Sequence, residues 1–215
     1  MTADSGNKCR NFLLLMMLFL LASACAIHRQ SDKEDPAPRV QKIVVLPIII
    51  APADNSKPAP QTAVNRLKEG AATFTLLLAE YFKERPSVTI LDEAQHEGLA
   101  ADLTGDPEIL ARTIAGKNKA DAVLLCTINR FVEREGGSYA SAQPASVSFN
   151  FRLLGVESGV TLCDGSFDET QHPLSDNLFN IHIAASRGFK WITAQDLLKE
   201  GILKKFKECP ELADQ

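Results

Sequence analysis

The side chains with the widest chemical reach fall in one stretch, Cys163, Asp164, Asp168, Glu169, His172 and His182. A cysteine with a histidine can make a nucleophile–base pair, and two histidines with acids can hold zinc. Neither arrangement is compact here. The gap from His172 to His182 fits no short metal-ligand spacing, and Cys163 sits in a strand-like run where an apolar side chain suits a core. Asp168-Glu169-Thr170 reads as a solvated turn. The chain has no GxxxxGK[ST]; Gly116-Lys117-Asn118 lacks the upstream glycine and the hydroxyl of a phosphate loop. GxGxxG after the first strand, HExxH and GxSxG are also absent. The expectation is no catalytic residue, no metal and no cofactor. His96, between Gln95 and Glu97, is expected at the surface.

Five cysteines are present, at positions 9, 25, 126, 163 and 209. Without Cys9 and Cys25, three remain for the folded part, so at most one intramolecular disulfide can form there. Cys126 and Cys163 both lie in strand-like segments and can be sheet neighbours; two buried free thiols are the equal alternative. The absence of CxxC argues against a thioredoxin-type centre.

The amino end has the three parts of a secretory signal peptide over residues 1–24. Lys8 and Arg10 supply positive charge, Phe12 to Leu21 is uninterrupted apolar sequence, and Ala22, Ser23 and Ala24 are small. The apolar run is shorter than the roughly 20 residues a membrane-spanning helix needs. Leu21-Ala22-Ser23-Ala24-Cys25 resembles the lipobox of bacterial lipoproteins, with Ala22 where leucine is commoner. The resemblance implies cleavage between Ala24 and Cys25 and acylation of Cys25, palmitate included. Several acyl chains on one residue anchor a protein lastingly, at about 0.8 kcal/mol per buried methylene. Ala26 replaces the aspartate that retains enteric lipoproteins at the inner membrane, so the same resemblance implies the outer membrane, facing the periplasm. Residues 25–39 then read as the lipidated cysteine and a polar tether with Pro36 and Pro38, in which His28 is solvated.

Loss of Lys8, Arg10 and Asp4 with the signal leaves 21 basic and 26 acidic side chains, a net charge of −5. No basic run interleaves with aromatics, which argues against nucleic acid as a partner. Residues 40–209 suffice for one globular domain, with 210–215 as a tail.

Val40 to Ile50 is β-branched with little alternation, a strand covered on both faces, made irregular by Pro47. A loop with three prolines follows to Gln61. Thr62 to Glu84 carries Val64, Leu67, Ala71, Phe74, Leu78 and Phe82 at helical spacing. Ser87 to Leu91 is a short strand, and Asp92 caps a helix to about Leu103. Asp106-Pro107-Glu108 opens another helix, ending near Gly116. Asp121 to Val132 is a central strand and Glu133 to Pro144 a polar loop. Ala145 to Leu154 alternates: Val147, Phe149, Phe151 and Leu153 face a core, while Ser146, Ser148, Asn150 and Arg152 face water. A turn at Glu157-Ser158-Gly159, with Gly159 left-handed, leads into a strand from Val160 to Phe167. Residues 168–192 show no period and are expected to wrap the surface. There Phe179, Ile181, Ile183 and Phe189 either cover the sheet or form an apolar patch for a partner. Thr193-Ala-Gln-Asp196 is a capping box for a last helix, which Cys209-Pro210 ends. The fold class is therefore α/β with a mixed sheet in the order β-α-β-α-α-β-β-β-α: a parallel pair joined by a right-handed crossover, then an antiparallel meander.

From Lys42 on, the chain resembles a group of periplasmic outer-membrane lipoproteins. It shares a strand ending Val45-Leu46-Pro47, a long helix, a strand ending Leu91-Asp92, then Ala115-Gly116-Lys117, Ala120 to Leu124, and a meander with Val156-Glu157-Ser158-Gly159. The group comprises the activators of penicillin-binding proteins, the curli-secretion lipoprotein and the N-terminal domain of the Tol-system propeller protein. Phe167 to Gln171, Pro173-Leu174-Ser175 and Trp191 resemble uncharacterised lipoproteins of delta-proteobacteria. Membrane lipid, through acylated Cys25, and an envelope protein are the partners this implies. The reading is a non-enzymatic accessory or protein-binding module of the envelope. Its rivals are a structural subunit of an oligomeric secretion complex and a hydrolase using Cys163.

Overall fold

The computed structural model describes residues 40–51, 60–101, 103–137, 141–172, 185–188 and 190–213. Signal residues 1–24, Ala24 and Cys25 at the cleavage point, His28 and the tether, His182, Phe179, Ile181, Ile183 and Phe189 lie outside them.

The first apolar run is broken where its proline falls. Strands β1 (Ile43–Val45) and β2 (Ile49–Ile50) both pair in parallel with β4 (Ala122–Val132). Val45 lies opposite Leu124 and Ile49 opposite Thr127, so the first chain spends one residue more than its partner around Pro47, which has no N–H for the ladder. Ile43 to Leu46 are buried, odd residues toward one core and even toward another. Asp121, just before β4, accepts from the amides of Gln41 and Lys42, each at 2.9 Å, and fixes where β1 begins.

Helix α1 (Gln61–Tyr81) then leads to β3 (Val88–Ile90), parallel to β1. Helices α2 (Glu93–Ala100) and α3 (Pro107–Lys117) start as expected: the Asp92 carboxylate accepts from the Gln95 amide in a capping box, and Asp106 accepts from Glu108 and Ile109. Beyond β4, the expected polar loop contains a small two-stranded sheet, β5 (Glu135–Gly136) with β6 (Ser141–Gln143). Its polar residues pair through their backbones, which leaves no alternation to read. Strand β7 (Ser146–Gly155) follows. The turn after it is pinned by Arg112, which donates to the Val156 and Glu157 carbonyls at 2.8 Å. Gly159 has φ +68°, and a Cβ there would meet that guanidinium at 2.6 Å. Strand β8 (Thr161–Thr170) runs through the expected turn at Asp168 to Thr170, and helix α4 (Ala194–Phe206) opens on the Thr193–Asp196 capping box.

The main sheet has the order β3-β1-β4-β7-β8, with β2 extending β1 along β4. It is parallel on one side of β4 and antiparallel on the other, the mixed sheet the sequence leads one to expect. α1 and α4 cover one face, packing Phe74, Leu78, Leu198 and Phe206 against Leu124, Phe149 and Leu153. α2 and α3 cover part of the other, over Val44, Val123 and Leu154.

Candidate functional site

Alternation along β7 and β8 sends one set of side chains to the aromatic core and the other to the outer face, which α3 reaches at one end only. Register groups the outer residues in rows: Leu125, Arg152 and Asp164; then Ile49, Thr127, Asn150 and Ser166; then Arg130, Ser148 and Asp168. The rows at either end contain engaged charges. Arg152 pairs with Glu108 of α3, and Arg130 pairs with Asp168 while donating to Ser146 Oγ. Ser146 shares a hydrogen bond with Thr170. The hydrogen bond from Arg130, its charge and a hydrogen bond from Ser148 together hold the Asp168 carboxyl below its ordinary range against the opposing effect of burial. Ser146 and Ser148, expected to face water, are each only 7% exposed because this network closes over them.

Between the engaged charges lies a depression of about 450 Å³ lined by Ile49, Leu125, Thr127, Asn150, Asp164 and Ser166, among others. Among the described residues, the side chains of Thr127, Asn150, Asp164 and Ser166 have no hydrogen-bond or ion-pair partner. A larger cleft, about 730 Å³, runs between the end of α1 and α4 with Leu77, Tyr81, Ile202 and Leu203 on its walls. Most of its polar groups are taken: Lys199 binds Glu80 at 2.8 Å, Tyr81 Oη donates to the Leu212 carbonyl, and Arg85 donates to the carbonyls of Glu211, Leu212 and Ala213. Unspent hydrogen-bonding capacity, rather than volume, therefore marks the smaller depression as the candidate site.

The residues singled out in the sequence do not converge. Cys163 is bonded to Cys209, 46 positions on. The pairing with Cys126 that the sequence left open is excluded because β7 stands between β4 and β8. Cys126 is a buried free thiol whose pKa is pushed up by burial. Asp164 projects to the open face, away from the disulfide, while Glu169 holds Arg187 at 2.7 Å. Arg187 also pairs with Glu200 of α4 and is 9% exposed. Burial opposes its charge, yet the hydrogen bonds that Arg187 donates to Glu200 and Glu169 outweigh that and raise its pKa. His172 is exposed just past β8, and His96 lies half-buried on α2. Residues 210–213, read as a tail, belong to the packed domain: Leu212 is fully buried. Cys163, Cys209 and Glu211 bring their ligand atoms within 4.8 Å of one another, but the two sulfurs are spent on each other.

These features define a class: a disulfide-linked α/β module with a mixed sheet, helices filling one face and half of the other open and polar. No family model matches the chain, and no curated protein matches it in sequence. Solved structures similar to it include the PelC dodecamer of Paraburkholderia phytofirmans, at 14% identity and TM-score 0.45 over 82% of this chain and 91% of that one. Lipoprotein GNA1162 of Neisseria meningitidis is similar at 20% identity and TM-score 0.39, over 68% and 95% of the two chains. The C-terminal domain of LpoB from Salmonella enterica is similar at 14% and 0.33, over 63% and 87%.

Proposed function

We propose that this chain is an exported lipoprotein, acylated at Cys25 and held on the periplasmic side of the outer membrane, whose domain is a non-enzymatic, protein-binding accessory of the cell envelope. The observation that carries the reading is the Cys163–Cys209 bond. Disulfides persist in oxidising compartments such as the periplasm, which agrees with a signal peptide at the amino end. The same bond removes the thiolate that a hydrolase built on Cys163 requires. No helix among the described residues is long and apolar enough to cross a membrane; attachment through acyl chains rests on the lipobox resemblance at Cys25. The open polar face supplies what an accessory module needs, a surface whose hydrogen-bonding groups are not engaged within the domain.

The test is a Cys25→Ser variant expressed in a Gram-negative host. The parent is expected in the outer-membrane fraction, labelled by radioactive palmitate, with an intact mass that starts at Cys25. The variant is expected to lose label and membrane attachment together. A variant that remains bound to the membrane with unchanged processing would overturn the placement.

A further inference from the structure

The open face has a sign and a direction that its composition alone does not reveal. Both of its cations are engaged, Arg152 by Glu108 and Arg130 by Asp168, whereas Asp164 has no partner among the described residues. Among the described residues of this face, an approaching anion finds no unpaired positive group, whereas an approaching cation finds an unpaired carboxylate. Beside Asp164, Thr127, Asn150 and Ser166 each offer both donor and acceptor, as a peptide's N–H and C=O groups require. The far end is apolar, with half-buried Leu125 in the row of Asp164 and Ile49, 47% exposed, in the next.

We propose that this face is the docking surface for an extended segment of a partner protein that carries a basic side chain three residues from an apolar one, a proposal that rests on the protein-binding reading above. The spacing follows from the sheet. Leu125 and Asp164 are two strand positions apart, about 10 Å at roughly 4.8 Å per strand, and three residues of extended polyproline II chain, about 3.1 Å each with three residues to the turn, cover that distance and return the side chain to the same face. The segment crosses the strands, its basic residue over Asp164, its apolar residue over Leu125 and Ile49, and its backbone over Asn150 and Thr127. Charge complementarity selects the partner: a solvent-exposed ion pair changes binding only a few-fold, so Asp164 tunes the choice while the neutral groups hold the chain.

The probe is the peptide acetyl-Gly-Leu-Thr-Ser-Lys-Gly-amide, titrated into the purified full chain in detergent and followed by NMR, with a version carrying Glu in place of Lys as control. The Lys peptide is expected to shift signals of β4, β7 and β8. Asp164→Asn is expected to weaken it about two- to fivefold, Asp164→Lys to reverse the preference toward the Glu peptide, and Leu203→Ala, in the other cleft, to change nothing. Equal binding of both peptides, indifference to Asp164→Asn, or tighter binding of chitotriose at the same face would overturn the proposal. A photo-crosslinking residue placed in cells at Ser166, and separately at Leu203, separates the two levels. Adducts at Ser166 support this face. Adducts only at Leu203 remove it and leave the protein-binding reading standing, and none at either position counts against both.

Discussion

The two faces of β7 are built from neighbouring residues and meet opposite fates. Phe149 is fully buried, its ring 4.9 Å from Phe74 and 5.5 Å from Phe167. Asn150, one residue on, lies exposed in a depression without a partner among the described residues. The inner face spends its side chains on one another and so fixes the fold; half of the outer face keeps its hydrogen-bonding capacity unspent. Core packing and unengaged polar groups are divided across one sheet at single-residue resolution, because successive side chains in a strand point to opposite sides.

The sharpest way to break that contrast is to truncate both neighbours. Phe149→Ala is expected to cost about 3–5 kcal/mol in chemical denaturation, and Asn150→Ala to stay within about 0.5 kcal/mol. Similar costs at the two positions would mean that the open face is structural. Next in size is the disulfide, which ties β8 to the chain beyond α4. Its reduction is expected to remove about 2–4 kcal/mol of stability, seen as a lower melting temperature in dithiothreitol that a Cys163→Ser/Cys209→Ser variant reproduces without reductant. Gly201 tests how closely α4 lies on the inner face. A Cβ there would come within 2.7 Å of the Phe167 ring and 2.9 Å of Phe149, so Gly201→Ala is expected to cost about 1–3 kcal/mol despite alanine's better helix propensity. The smallest effect belongs to the outer face. Because the folded-state pKa of Asp168 is depressed, its pair with Arg130 contributes stability above the ordinary carboxylate pKa of about 4, and loses it as pH falls through the folded value. With the side chain 67% exposed, the contribution stays under about 1 kcal/mol. Denaturation curves of wild type and Asp168→Asn should therefore converge as pH falls toward 2.

Much of this fold is legible before any coordinates. Local signals carry the helix starts at Asp92, Asp106 and Thr193, because a cap is set by residues within one turn of it. The break at Pro47 and the left-handed Gly159 are likewise local, each a backbone property of one residue. The site was half legible. Alternation in β7 placed Asn150 and Arg152 on the outer side, but nothing nearby shows that Arg152 is taken by Glu108 or that Arg130 lies over Ser146 and Asp168. Those pairings put Ser146 and Ser148 under cover and leave Asp164 alone.

The sequence by itself determined the main elements, their mixed order and which side of β7 turns to the core, since these follow from periodicity and from the chemistry of single residues. Only the tertiary structure decided that Cys163 bonds to Cys209 rather than Cys126, that Leu212 belongs to the core, and which polar groups are left over. Each of these depends on residues tens of positions apart meeting across strands, and no short-range pattern encodes which of several possible partners a side chain reaches first.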